Sequence, residues 1–322
     1  MDTGALHTRR EARRRAVRRR RRAAGLLAVA VIALIAALAL ARSGGTSQTT
    51  HNAQATGTSA GAQRATAPAP TGTASGGSTG GRPGADPVPI LMYHVIAPPP
   101  AGAPFPGLYV TPGELAAQVQ ALKSAGWHAV TLDQVRAYWK TGRPLGPGKP
   151  IVLSFDNGYH SQYTQALPIL RRVGWVGDEN LQLTGLPPSQ GGLDAAQIRE
   201  LVAAGWELDT QGFSHADLIA LDAAQLHYEV AVARTVLRQR YGVPVNWFCY
   251  PSGHYDSTVI AQVKAAGYSG STTVVPGWAH PGDDPYRLHR LRVLGGTTPG
   301  QLLALIAAIR EDAAAPPSYN GA

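Results

Sequence analysis

The sequence predicts an α/β protein built on a parallel sheet, preceded by one transmembrane helix and a disordered linker. Three observations carry this reading. From residue 88 onward, short strand-like apolar runs alternate with amphipathic helical ones over about 230 residues. That alternation is the pattern of a parallel sheet, as an open doubly wound sheet or a barrel. Ahead of it, Ala23 to Ala41 runs nineteen residues without a charge. Between the two, residues 42–87 are Ser, Thr, Gly, Ala and Pro with almost no aliphatic content, too little apolar surface to offset the entropy of ordering.

The elements follow in order. Residues 1–22 form a basic tail with ten Arg against Asp2 and Glu11. At about 1.5 Å per residue the apolar run spans roughly 28 Å, the width of a bilayer core. With the Arg block before it and only Arg42 directly after it, the positive-inside rule puts the N-terminus in the cytoplasm and the rest outside. The expectation is a single-pass signal anchor at 23–41 in the cell membrane. The alternative is secretion after cleavage near Ala41, because Ala39-Leu40-Ala41 fits a small-x-small site.

The domain is expected over 88–314, followed by a flexible tail at 315–322. Pro89–Tyr93, Ile151–Phe155 and Val245–Cys249 read as buried strands. Thr111–Ala125, His160–Val173, Asp194–Ala204, Asp222–Tyr241, Ser257–Ala266 and Pro299–Arg310 have helical spacing. Thr111 (with Pro112 in the first position), Asp194 and Asp222 are N-caps, and Gly126, Gly205, Gly242 and Gly267 close helices.

Charge and cysteine content exclude several functions. The net charge of the 322 residues is +9, but the basic tail supplies +8, and from residue 88 onward 16 Lys+Arg face 17 Asp+Glu. A neutral domain is no nucleic-acid-binding domain. Cys249 is the single cysteine, so neither an intrachain disulfide nor a cysteine metal cage exists. From residue 88 onward no G-x-G-x-x-G, Walker loop or G-x-S-x-G is present, which leaves nucleotide and serine-hydrolase chemistry without a signature in the domain.

In a parallel α/β fold the chemistry sits at the carboxyl ends of the strands. Four polar stretches follow strand-like runs: Tyr93-His94, Asp156-Asn157-Gly158-Tyr159, Asp209 to His215, and Tyr250-Pro251-Ser252-Gly253-His254-Tyr255. With these motifs, residues 88 to about 310 resemble the polysaccharide deacetylase family (NodB-homology, carbohydrate esterase family 4). Ser154-Phe155-Asp156-Asn157-Gly158 stands where the family has TFDDG. Glu207-Leu208-Asp209-Thr210 followed by Gln211-Gly212-Phe213-Ser214-His215 stands where it has an E-I-G-S stretch and H-S/T-x-x-H. Ile90-Leu91-Met92-Tyr93-His94, Tyr250–Gly253 and Tyr286-Arg287-Leu288-His289-Arg290 also look familial, closest to the branch with poly-N-acetylglucosamine deacetylases.

The resemblance implies a distorted (β/α) barrel acting on an extracytoplasmic acetylated polysaccharide. It also implies a divalent, zinc-like metal held by one Asp and two His, which lowers the pKa of bound water and polarises the amide carbonyl. A second Asp takes the water's proton and a His protonates the departing amine. Carried over by residue, the base is Asp156, the acid His94 and the second metal His is His215. The metal Asp falls on Asn157 and the first metal His on Gln211. With two neutral amides in those positions the metal site is expected to be degenerate, with Asn157, Gln211, Tyr250 and Pro251 lining a substrate groove. Two readings follow: a membrane-anchored deacetylase with an altered, metal-poor site, or a non-catalytic glycan-binding protein that keeps the groove. His160 and His254 flank the motifs as candidate replacement ligands, with surface or supporting roles the simpler reading. Trp247, Trp206 and Trp278 are candidates to stack on sugar faces, with the buried core the simpler expectation for Trp247 and Trp206.

Overall fold

The computed structural model describes residues 82–186, 191–309 and 314–321. Nine strands form its sheet: β1 (Val88–Tyr93), β2 (Trp127–Ala129), β3 (Lys149–Asn157), β4 (Asp178–Leu181), β5 (Glu207–Thr210), β6 (Trp247–Cys249), β7 (Gly270–Thr272), β8 (Trp278–Ala279) and β9 (Leu291–Arg292). The order β7-β6-β5-β4-β3-β1-β8 is parallel throughout except for the short β1–β8 pair, with β2 added to β3 and β9 to β1. A parallel bridge from Thr272 to Leu288, three residues before β9, carries the curl back toward β1. The result is a curled parallel half-barrel of the type the resemblance implied.

Side chains alternate across this sheet with the strand period of two. On β3, Ile151, Leu153 and Phe155 point outward into a core shared with helices α1 (Pro112–Ser124), α3 (Leu167–Val173) and α8 (Pro299–Ala308). Val152 points inward and meets Val88, Ile90, Trp247 and Leu288 inside the barrel. That inner cluster is closed by Val130 and Leu132, the latter opening helix α2 (Leu132–Thr141). A third cluster gathers α4 (Ala195–Ala203), α5 (Ala223–His227), α6 (Ala233–Tyr241) and α7 (Ser257–Ala265) against β5 and β6.

The caps form as their residues dictate. Thr111 accepts the Glu114 amide while Glu114 accepts the Thr111 amide, and Asp194 and Asp222 close the same reciprocal box with Gln197 and Gln225. Each such cap contributes about 1 kcal/mol. The helices read as His160–Val173 and Asp222–Tyr241 each contain one wide turn, Gln162–Ala166 and Tyr228–Val232. Both turns sit beside the cleft described below, where such bulges are frequent. The chain's last described residues are docked: Tyr319 pairs with Tyr255, and the Tyr255 hydroxyl donates to the Pro316 carbonyl at 2.8 Å.

The expectation of a transmembrane helix is corrected. Among the described residues no helix is long and apolar enough to cross a membrane. The physical reason is length: α1 has 13 residues, about 20 Å at 1.5 Å per residue against a hydrocarbon core of about 30 Å. The stretch 23–41, its basic tail and the linker as far as residue 81 lie outside the described residues. The anchor, the membrane as a partner and the single-pass topology are therefore not carried further.

Candidate active site

Asp156 is the penultimate residue of β3 and is buried inside the barrel. Arg290, itself fully buried, grips it bidentately, Nη1 donating to Oδ1 at 2.7 Å and Nη2 to Oδ2 at 2.9 Å. Asn180 of β4, its register neighbour, donates to Oδ1 at 2.9 Å. His94, just past β1, brings Nε2 to 3.8 Å from Oδ2. Burial favours the protonated acid, but the Arg290 and His94 charges and the donated hydrogen bonds outweigh it and hold the Asp156 carboxyl at about 2. Burial drives His94 the other way, down to about 4 despite the attraction of Asp156. At neutral pH the pair is a carboxylate facing a neutral imidazole. Gln162, from the first wide turn, fixes their spacing by donating to both the His94 and the Asp156 carbonyls at 2.9 and 2.8 Å.

The backbone turns sharply after Asp156. Asn157 takes φ 82°, the left-handed region that Asn tolerates better than most side chains. Its Nδ2 donates to Gln182 at 3.0 Å. Gly158 follows at φ 85°, a strained backbone for other residues, and a Cβ there would meet Leu181 Cδ1 at 2.3 Å, so any other residue forces Leu181 to shift.

Across the opening, Gln211 and His215 face each other, Nε2 to Nε2, at 3.3 Å. Gln211 is buried and its Oε1 has no partner among the described residues. His215 sits at φ 58°, with burial lowering its pKa. The loop carrying it is held by Glu229 on the second wide turn, whose carboxylate accepts the Phe213 and Ser214 amides at 2.8 Å each and the Ser214 hydroxyl at 2.5 Å. These groups floor a cleft of about 620 Å³ at the carboxyl ends of the strands, walled by Tyr109, Tyr159, Tyr250 and Phe105.

The structure thus brings together His94, Asp156, Asn157, Gln211, His215 and Tyr250. Pro251 is buried and is not among the residues lining the cleft, and neither are His160 and His254. Those two histidines instead hydrogen-bond Gln197 at 3.3 Å and Asp217 at 3.0 Å. Trp206, Trp247 and Trp278 are all buried. Cys249 lies against Arg290 and Asp156, and burial pushes its thiol up to about 12, so it is no nucleophile at neutral pH. Sequence reasoning missed the role of Arg290. It belongs to a segment quoted for its familial look, but its partner lies 134 positions away, and no local pattern marks an arginine for burial.

The expected loss of metal ligands is also corrected. Positions 157 and 211 are amides, but the chain retains an intact acidic triad. Asp178, Glu207 and Asp209 each offer a carboxylate oxygen, and these lie within 4.8 Å of one another. The chain carries a candidate divalent-cation cluster, so its capacity for a cation is not lost with positions 157 and 211. Motif matching passed over these residues because it looked only where the family's motifs place the metal. The donor set is all oxygen, which suits hard cations such as Mg²⁺, Mn²⁺ or Ca²⁺ better than zinc.

Comparison with known proteins agrees with the fold. Residues 145–271 match the family model described as polysaccharide deacetylase. The Bacillus subtilis (strain 168) protein YxkH is 25% identical over 209 residues, 65% of this chain and 72% of that protein. The Escherichia coli (strain K12) poly-β-1,6-N-acetyl-D-glucosamine N-deacetylase is 39% identical over 85 residues, 26% of this chain and 12% of that protein. Among solved structures, the Streptococcus pyogenes deacetylase PplD in complex with acetate aligns with a TM-score of 0.63 and 26% identity, over 69% of this chain and 98% of that one.

Proposed function

We infer that this chain, a member of the polysaccharide deacetylase (NodB-homology, carbohydrate esterase family 4) family, hydrolyses acetyl groups from an acetylated polysaccharide. The observation that carries the reading is the Asp156–Arg290 pair with His94 at 3.8 Å, set in the floor of the cleft. Deacetylation needs a water to add to the acetyl carbonyl carbon, the C–N bond to break, and a proton to reach the departing amine. In this reading Asp156 orients the attacking water and draws off its proton, while Arg290 keeps the carboxylate ionised. Neutral His94 then receives the proton from beside Asp156 and returns it to the amine nitrogen, so acetic acid and free amine leave with no net proton change at the protein and ionise to acetate and ammonium in solution. Asn157, Gln211, Tyr250 and His215 position the sugar. A divalent cation, when bound on Asp178, Glu207 and Asp209, would neutralise carboxylate charge within the same barrel.

The substrate we propose is an N-acetylated amino-sugar polymer of the poly-N-acetylglucosamine kind. Support comes from the Ile90–His94 segment that builds β1 and from the local identity to the Escherichia coli poly-β-1,6-N-acetyl-D-glucosamine N-deacetylase. The acetate complex of the similar PplD structure is consistent with an acetyl-releasing site. The test is acetate release from β-1,6- and β-1,4-linked N-acetylglucosamine oligomers and from acetylated cell-wall glycan. Release that is lost in Asp156→Asn and His94→Ala supports the roles given, and release unaffected by both removes them. No release from any of the three glycans removes the function.

A further inference from the structure

The acidic triad has a geometry of its own, and it lies below the cleft. Asp178 and Glu207 open β4 and β5 in register with each other and with Ser154 of β3. The cleft residues Gln182 and Gln211 come four positions later, just past the ends of the same strands, about 13 Å further along at 3.3 Å per residue. None of Asp178, Glu207 and Asp209 lines the cleft.

Each of the three carboxylates is anchored through one oxygen and leaves the other without a partner. Asp178 Oδ2 accepts the Leu132 amide at 2.9 Å, Glu207 Oε2 accepts the Asp133 amide at 2.9 Å, and Asp209 Oδ1 accepts the Asn246 and Trp247 amides at 3.2 and 2.8 Å. The remaining oxygens, Asp178 Oδ1, Glu207 Oε1 and Asp209 Oδ2, are buried with no hydrogen-bond partner among the described residues. Asp178 and Asp209 are wholly inaccessible, whereas Glu207 is partly exposed.

The surroundings make the charge worse rather than better. Asp133 stands beside the triad and has both its oxygens engaged, by Trp247 Nε1 at 3.2 Å and Asn246 Nδ2 at 2.7 Å. Among the described residues, none of the four carboxylates makes a salt bridge. The N-terminus of α2 contributes about half a positive charge at most. A buried polar oxygen left without a partner costs about 1–3 kcal/mol. A divalent cation removes the cost, and three oxygens already fixed by backbone amides require little ordering to receive it.

We propose that Asp178, Glu207 and Asp209 form a structural site for a hard divalent cation of the Mg²⁺, Mn²⁺ or Ca²⁺ class. The site clamps β4 and β5 to the first turn of α2, and ions enter past the partly exposed Glu207. This inference does not rest on the deacetylase reading, since it concerns the base of the barrel and not the cleft.

The test uses the full chain carrying His215→Ala, which deletes the single imidazole from the Asn157–Gln211 side of the cleft, stripped with EDTA and titrated with Mn²⁺. Electron paramagnetic resonance of free Mn²⁺ is expected to report one ion taken up per chain, with a rise in Tm on loading. Adding Asp178→Asn or Asp209→Asn is expected to abolish both. Absence of uptake in the His215→Ala chain overturns the proposal without any triad variant having to fold. Uptake that persists in the Asp178→Asn/Asp209→Asn chain overturns it as well. Mn²⁺ uptake by the His215→Ala chain, together with no acetate release by the natural chain, would leave this site standing and remove only the deacetylase function.

Discussion

Replacing Arg290 by Met tests whether the site is organised around one buried ion pair. The substitution keeps the side chain's length and apolar stem while deleting two charge-assisted hydrogen bonds to Asp156, at 2.7 and 2.9 Å. Holding Asp156 at about 2 instead of its ordinary 3.8 corresponds to about 2.5 kcal/mol at 1.36 kcal/mol per unit. That value is already net of the burial penalty, which opposes it. With Arg290 gone the penalty stands alone, so the expected loss at pH 7 is about 3–5 kcal/mol, the range for breaking a buried pair. The slope against pH should also change sign for this group. In the natural chain the carboxyl is depressed, so its contribution is present above 3.8 and is lost as pH falls toward 2. In Arg290→Met burial raises it, so its contribution is present below 3.8 and is lost as pH rises through the new folded value. Urea unfolding of both chains at pH 5, 6, 7 and 8 reads both effects. The difference between them should widen with pH, and Arg290→Met/Asp156→Asn should recover much of it. A loss below about 1 kcal/mol at pH 7, with an unchanged difference across the pH range, would refute the reasoning.

Further outcomes are expected from the same geometry. Gly158→Ala combines φ 85° with a Cβ at 2.3 Å from Leu181 and should cost about 1–3 kcal/mol in thermal melts. Gly270→Ala should cost more, because its Cβ would meet the Pro285 carbonyl at 2.2 Å as well as the Trp247 ring at 2.4 Å, and backbone yields less than a side chain. His94, lowered from 6.5 to about 4, should withdraw up to about 3 kcal/mol of stability as pH falls through that window, because the unfolded chain takes up the proton first. His94→Asn should flatten that part of the pH–stability curve. Glu229→Gln leaves the amides of Phe213 and Ser214 with a weaker acceptor, and hydrogen exchange at these two positions should quicken about tenfold or more.

Much of the framework was legible residue by residue. Thr111, Asp194 and Asp222 cap helices because their side chains reach the third amide locally, and that geometry does not wait for the rest of the fold. The runs Pro89–Tyr93 and Ile151–Phe155 were legible because strands buried on both faces are continuously apolar. The strand Asp178-Glu179-Asn180-Leu181 was not, because its polar residues are buried and an acidic tetrapeptide carries the pattern of a loop. His94, Asp156, Gln211 and His215 could be chosen from their places after strand-like runs and from the family's motifs. Their distances, and hence a neutral imidazole beside an ionised carboxylate, could not.

The sequence by itself determined the alternation of strand and helix, the helix ends, and which polar residues stand at the mouth of the sheet. These depend on interactions within a few positions, or on the period of burial. Only the tertiary structure decided that Arg290 neutralises Asp156 from 134 positions away, and that three carboxylates from two strands meet beneath the amides opening α2. Burial and charge pairing belong to the folded barrel, where strands distant in the chain become neighbours about 5 Å apart. The apparent gap at Asn157 and Gln211 therefore misled: the chain's capacity for a cation lies on Asp178, Glu207 and Asp209, side chains that meet only once β4 and β5 are paired.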